Sequence, residues 1–173
     1  MADSEQKPQV GPERLAHLAQ FTDEHLAYHE AGHAVVHHLQ GGTVTRLSIE
    51  RTDPGQGTHT AKQPTPAESA DPDRALRELI ALLVAGEVAA TIQGAPEQVV
   101  EAGGKGDREQ AIRRAAEAGL DDAAARAMID VEWPRVRARL EEPANWKLVD
   151  ALAQQLIRQK VLDADQIRAT LGA

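Results

Sequence analysis

The chain has 173 residues, a formal charge of −8 and no cysteine, and 42% of it is apolar while only 2% is aromatic. That length supports one domain with a core of its own, and a core of aliphatic residues and alanine favours closely approaching helices over a large sheet. The acidic balance excludes a general nucleic-acid binder, which needs a basic surface for phosphates, and the lack of thiols excludes disulfides and thiolate metal sites.

Residues 1–12 are polar, contain Pro8 and Pro12 and show no periodicity, which predicts a disordered start ahead of a single domain over 13–173. No basic flank leads into an apolar run there, so no signal peptide is expected. The apolar stretch 79–92 is interrupted by Gly86 and Glu87 and is too short to span a bilayer. The expectation is a cytoplasmic protein with no membrane and no nucleic acid among its partners.

A short helix is predicted over 13–20, and Thr22 or Asp23 then caps a helix over 24–39 that stops at Gly41-Gly42. The run TVTRLSIE over 43–50 alternates β-branched and apolar residues and reads as a strand. Asp53-Pro54-Gly55 is a turn signal, and 57–62 is expected to pair back as a second strand. Residues 63–72 hold three prolines and read as a mobile loop.

A strong helix follows over 73–93, ended by Gly94 and Pro96, and its apolar middle makes it central. Ala102-Gly103-Gly104-Lys105-Gly106 reads as a glycine-rich loop ahead of a helix over 107–118. Another helix is predicted over 121–140, kinked or divided at Pro134. A helix over 145–160 and a last one over 164–171, capped by Asp163, complete the chain. The class is mainly α (α+β), a helical domain with a small two- or three-stranded sheet and the 24–39 helix at its core.

That core helix carries His29-Glu30-Ala31-Gly32-His33, the HExxH pattern. Four residues make slightly more than one turn, so His29 and His33 project from nearly the same face and can bite one metal ion. Glu30 stands about 100° around the helix, placed to take a proton from a metal-bound water without ligating. Two neutral imidazoles, an open position for water and a nearby carboxylate are what a Zn²⁺ peptidase requires. The bland alternative is a solvated helix face with ordinary His and Glu residues, and the apolar opposite face of this helix argues against it.

The residue pattern leaves the third ligand open. Asp107 follows the glycine run and begins a predicted helix, where an acidic N-cap is favoured whether or not a metal is bound. Glu87, acidic within an apolar helix, is the rival ligand, or else a group orienting a histidine. His37 lies four residues beyond His33, at the edge of the site or in a packing role, and His17, His25 and His38 have no supporting pattern. Gly57, Thr58 and His59 on the second strand are candidate substrate contacts, since an extended peptide can add to a strand edge. Gly32 leaves room for close helix packing or for the metal.

The segment Tyr28-His29-Glu30-Ala31-Gly32-His33-Ala34-Val35-Val36 closely resembles the peptidase domain of the FtsH family, the ATP-dependent zinc metalloproteases. Val44 to Ile49 and Gly55-Gln56-Gly57-Thr58 look like that family's strand and glycine turn, and Leu82-Leu83-Val84-Ala85-Gly86-Glu87-Val88-Ala89 is similar to its central helix. Gly103-Gly104-Lys105-Gly106-Asp107 sits where the family has a short glycine and serine loop ending in an aspartate. The resemblance covers roughly residues 15–171, close at the motif and looser toward the end, around Leu162-Asp163 and Ile167. It implies Asp107 as the third zinc ligand beside His29 and His33, with Glu30 as the base.

The family normally carries membrane helices and an ATPase module ahead of the peptidase, and no G-x-x-x-x-G-K-[ST] phosphate loop occurs here. The expected activity is therefore zinc-dependent hydrolysis of flexible peptides or unfolded segments by a stand-alone domain. A separate ATPase partner and a homo-oligomer are what the resemblance leaves open. The rival reading is a metal-binding regulatory or interaction module that keeps the fold but does not cut. The intact Glu30 speaks against it, because a scaffold needs the ligands and not the base.

Overall fold

The computed structural model describes residues 21–50 and 69–172. Among them are six helices and two short strands: α1 Asp23–Leu39, β1 Arg46–Ser48, α2 Pro72–Gln93, α3 Glu97–Glu117, α4 Asp122–Leu140, α5 Pro143–Gln159, β2 Val161–Asp163 and α6 Ala164–Leu171. The domain is mainly helical, with one small antiparallel sheet. None of these helices is long and apolar enough to cross a membrane.

Helix α1 is central because both of its neighbours need it. It packs against α2 on one side and α5 on the other, while α2 in turn carries α3 and α4. Its start is set by Thr22, whose hydroxyl accepts from the His25 amide at 3.2 Å while the His25 ring turns back to the Thr22 amide, a reciprocal cap. Asp23 and Glu24 in the first turn suit the positive end of the helix. Ala27, Ala31, Ala34, Val35 and Val36 are buried. Gly32 lets α1 and α2 touch backbone to backbone: a Cβ there would lie 2.5 Å from Ala89 Cβ and 2.6 Å from the Ala85 carbonyl oxygen. Both ends of α1 are tied down. Lys160 Nζ reaches Asp23 at 2.8 Å, Tyr28 bonds Asp150 and stacks on Trp146 at 5.9 Å, and Arg139 Nη2 donates to the Leu39 carbonyl at 2.6 Å.

Helix α2 starts where Asp71 accepts from the Arg74 amide and Pro72 opens the first turn, and it ends at Gly94 in the left-handed conformation (φ +94°). Its middle, from Ile80 to Ala90, is almost wholly buried. Helix α6 is capped as expected by Asp163, reciprocated by Gln166.

Two expectations need correction. The glycine-rich segment 102–106 is not a loop, because α3 runs unbroken from Glu97 to Glu117. Local propensity is overridden by packing: α3 lies against α2 and α4, and a Cβ at Gly104 would lie 2.6 Å from Glu87 Oε2. Asp107 consequently lies inside α3 and cannot be its N-cap. Of the two outcomes expected at Pro134, division does not occur: α4 runs from Asp122 to Leu140, with Ile129 buried before the proline and Val136 and Leu140 after it. Strand β1 is paired antiparallel by β2, a strand not expected from the residue pattern, in the register Arg46↔Asp163, Leu47↔Leu162 and Ser48↔Val161. The expected strand over 57–62, the helix over 13–20, the disordered start and most of the proline-rich loop lie outside the described residues.

Candidate metal centre

The α-helical period does place His29 and His33 side by side, with their Nε2 atoms 3.0 Å apart and their rings edge to face. Helix α3 crosses nearby and contributes Asp107, whose Oδ2 lies 3.1 Å from His29 Nε2 and 3.3 Å from His33 Nε2. Among the described residues these three form the one group of His and acidic side chains that could hold a metal ion. Bonds of about 2.0–2.1 Å to a four-coordinate divalent ion place neighbouring donors roughly 3.3 Å apart, so the three spacings fit such an ion with little adjustment.

Two further observations support the fit. His33 Nδ1 lies 2.8 Å from the Leu82 carbonyl oxygen, to which it donates; in the neutral ring this leaves the Nε2 lone pair facing Asp107 and His29. The α2 backbone is also cut away opposite the donors. A Cβ at Gly86 would lie 2.5 Å from the Nε2 atoms of both His29 and His33. Gly86 was not singled out as a site residue from the sequence. Its signal was a lone glycine within an apolar helix, which costs helix stability and calls for a packing reason.

The electrostatics are those of a crowded, half-closed site. Burial works against a charged His33 ring, yet the Asp107 carboxylate, with help from Glu30 and the Leu82 carbonyl, outweighs it and pushes the pKa up to about 9. Burial alone would raise Asp107, but the charge of His33 and the hydrogen bonds from both histidines hold it well below the usual carboxylate range. Glu30 is buried beside them, and burial, reinforced by the charge of Asp107, raises its pKa against the pull of His29 and His33.

Glu87 does not join this group. Its carboxylate is held by Arg108 Nε at 2.5 Å, Arg108 Nη2 at 2.6 Å and Trp133 Nε1 at 3.0 Å. His37 is fully buried against the turn after α1, where a Cβ at Gly42 would meet its ring, so it packs and stands apart from the donors. His25 serves as a cap. The expected substrate contacts Gly57, Thr58 and His59, and also His17, lie outside the described residues. No known family model matches the chain, and no curated protein matches it.

Proposed function

We propose that this chain is a zinc-dependent metalloendopeptidase of FtsH-like design, cutting flexible peptides or unfolded segments. The observation that carries the reading is the convergence of His29, His33 and Asp107 from two helices beside the buried carboxylate of Glu30. Two imidazoles and one carboxylate are a donor set that suits Zn²⁺ and leaves a coordination position open. Bound there, the ion would polarise a scissile carbonyl and acidify a water molecule.

Asp107 supplies the negative charge that offsets part of the ion's charge, and the Leu82 carbonyl fixes the tautomer of His33. Glu30 accepts a proton from the water that attacks the carbonyl carbon. As the C–N bond breaks, the same carboxyl gives that proton to the departing amine. Its raised proton affinity suits both halves of this transfer. The donors are only partly accessible, which favours a flexible segment over a folded surface as the group that reaches them.

The test is elemental analysis joined to a peptide-library cleavage assay. About one zinc per chain is expected in the wild type and its loss in Asp107→Ala, with cleavage abolished in Glu30→Gln while zinc stays bound. Zinc binding without any cleavage in the wild type would instead favour a silent metal-binding module. No metal after equilibration with zinc would end both readings.

A further inference from the structure

Asp107 occupies an unpromising position for a metal ligand. Gly103, Gly104 and Gly106 precede it within α3, and each glycine weakens a helix by roughly 1 kcal/mol relative to alanine. A ligand on so weak a segment needs an anchor if its carboxylate is to stay within half an ångström of its productive place.

The anchor is next in the chain. Arg108 turns from α3 toward α2, and its guanidinium grips both oxygens of Glu87, at 2.5 and 2.6 Å. Trp133 of α4 donates its indole N–H to Oε1 of the same carboxylate at 3.0 Å. Gly104, one helical turn before Arg108, is flat against Glu87, with room for no Cβ. Glu87 is itself adjacent to Gly86, whose missing side chain faces the histidine donors. Two consecutive residues of α2 and two of α3 thus serve the same two places: Gly86 faces the histidine pair that Asp107 meets, and Glu87 takes the fork of charged hydrogen bonds from Arg108.

We infer that Glu87 and Arg108, with Trp133 behind them, are positioning residues that set the register of α3 on α2 and thereby deliver Asp107 to the histidine pair. The inference rests on Asp107 being a metal ligand, as proposed above. The planar guanidinium is essential to it, because a lysine in its place keeps the charge but cannot make the two-pronged contact. A mere helix-to-helix staple would contribute to stability and leave metal binding untouched.

Co²⁺ titration separates these roles through its Kd and the d–d absorption of the bound ion, read beside thermal unfolding of the metal-free proteins. In Glu87→Gln and Arg108→Lys, affinity is expected to fall roughly tenfold or more, with an altered d–d band. Ile167→Ala, which empties a core site on the remote helix α6, is expected to lower stability while keeping affinity and spectrum. If Glu87→Gln does not fold, Arg108→Lys carries the test. Wild-type affinity and spectrum in Arg108→Lys, or an equal loss in Ile167→Ala, would overturn the positioning role, while a loss of binding in Asp107→Ala would still uphold the metal centre. A wild type that takes up no Co²⁺ would overturn both.

Discussion

Helices α1 and α3 both supply side chains to the candidate metal centre, but they do so by different means. In α1 the two histidines are aligned by the helix's own period, and the helix is secured by a reciprocal cap at Thr22, acidic residues in its first turn and a buried apolar face. In α3 the donor follows three glycines within four residues, and no side-chain cap holds the helix start at Pro96. What keeps α3 in place is tertiary: Phe21 over Gly103, Glu87 over Gly104 and the Arg108 fork. A pair of ligands can thus be specified locally, whereas the third depends on how one helix lies on another.

The sharpest way to break this contrast is to fill the space both helices face. Gly86→Ala would put a methyl group 2.5 Å from both donor nitrogens of α1. Metal affinity should fall by more than the roughly 10–100-fold typical of a lost outer partner, with helix content by circular dichroism unchanged. Wild-type affinity in this variant would show that the donors converge elsewhere.

Proton competition tests the link between the two helices. Because the folded pKa of His33 is raised to about 9 from an ordinary 6.5, its charged ring stabilises the metal-free fold fully below pH 6.5, and that contribution is lost as pH rises through about 9. Raising the pH from 6 to 9.5 should cost the metal-free protein roughly 1–3 kcal/mol in urea unfolding, and Asp107→Asn should remove most of that dependence. A flat profile in the wild type would mean that α3 does not bring Asp107 to His33 in solution.

The smallest effect reads α3 alone. Nothing lies within 4 Å of the place a Cβ would take at Gly106, and φ there is not positive. Gly106→Ala should therefore stabilise the protein by about 0.5–1 kcal/mol in urea unfolding. Unchanged or lowered stability would return residues 103–106 to the loop that their composition predicts.

The same contrast explains what could be read from the residues. The starts of α1 and α6 and the stops of α1 and α2 were legible because Thr22, Asp163, Gly41 and Gly94 act on their immediate neighbours. The pairing of His29 with His33 followed from the same short-range geometry. The continuity of α3 was not legible, since what holds it is contact with α2 and α4, and Gly104 is explained only by Glu87, which is distant in sequence. Placing Asp107 beside the histidines took the family resemblance, because the residue pattern alone allowed a cap or a rival in Glu87. Strand β2 was missed for a similar reason: three residues, Val161 to Asp163, carry too little pattern to announce a partner on the far side of the chain.

That far partner has a consequence for how the molecule is made. Residues 46–48 find their strand only at 161–163, and the Lys160 ammonium that braces Asp23 comes from the same late stretch. During vectorial synthesis the histidine-bearing helix emerges well ahead of residues 160–163 and waits for them before its flank is closed. Such long-range closure is slow compared with local helix formation, so a nascent chain truncated before residue 160 should already carry His29 and His33 while lacking the contacts that brace their helix.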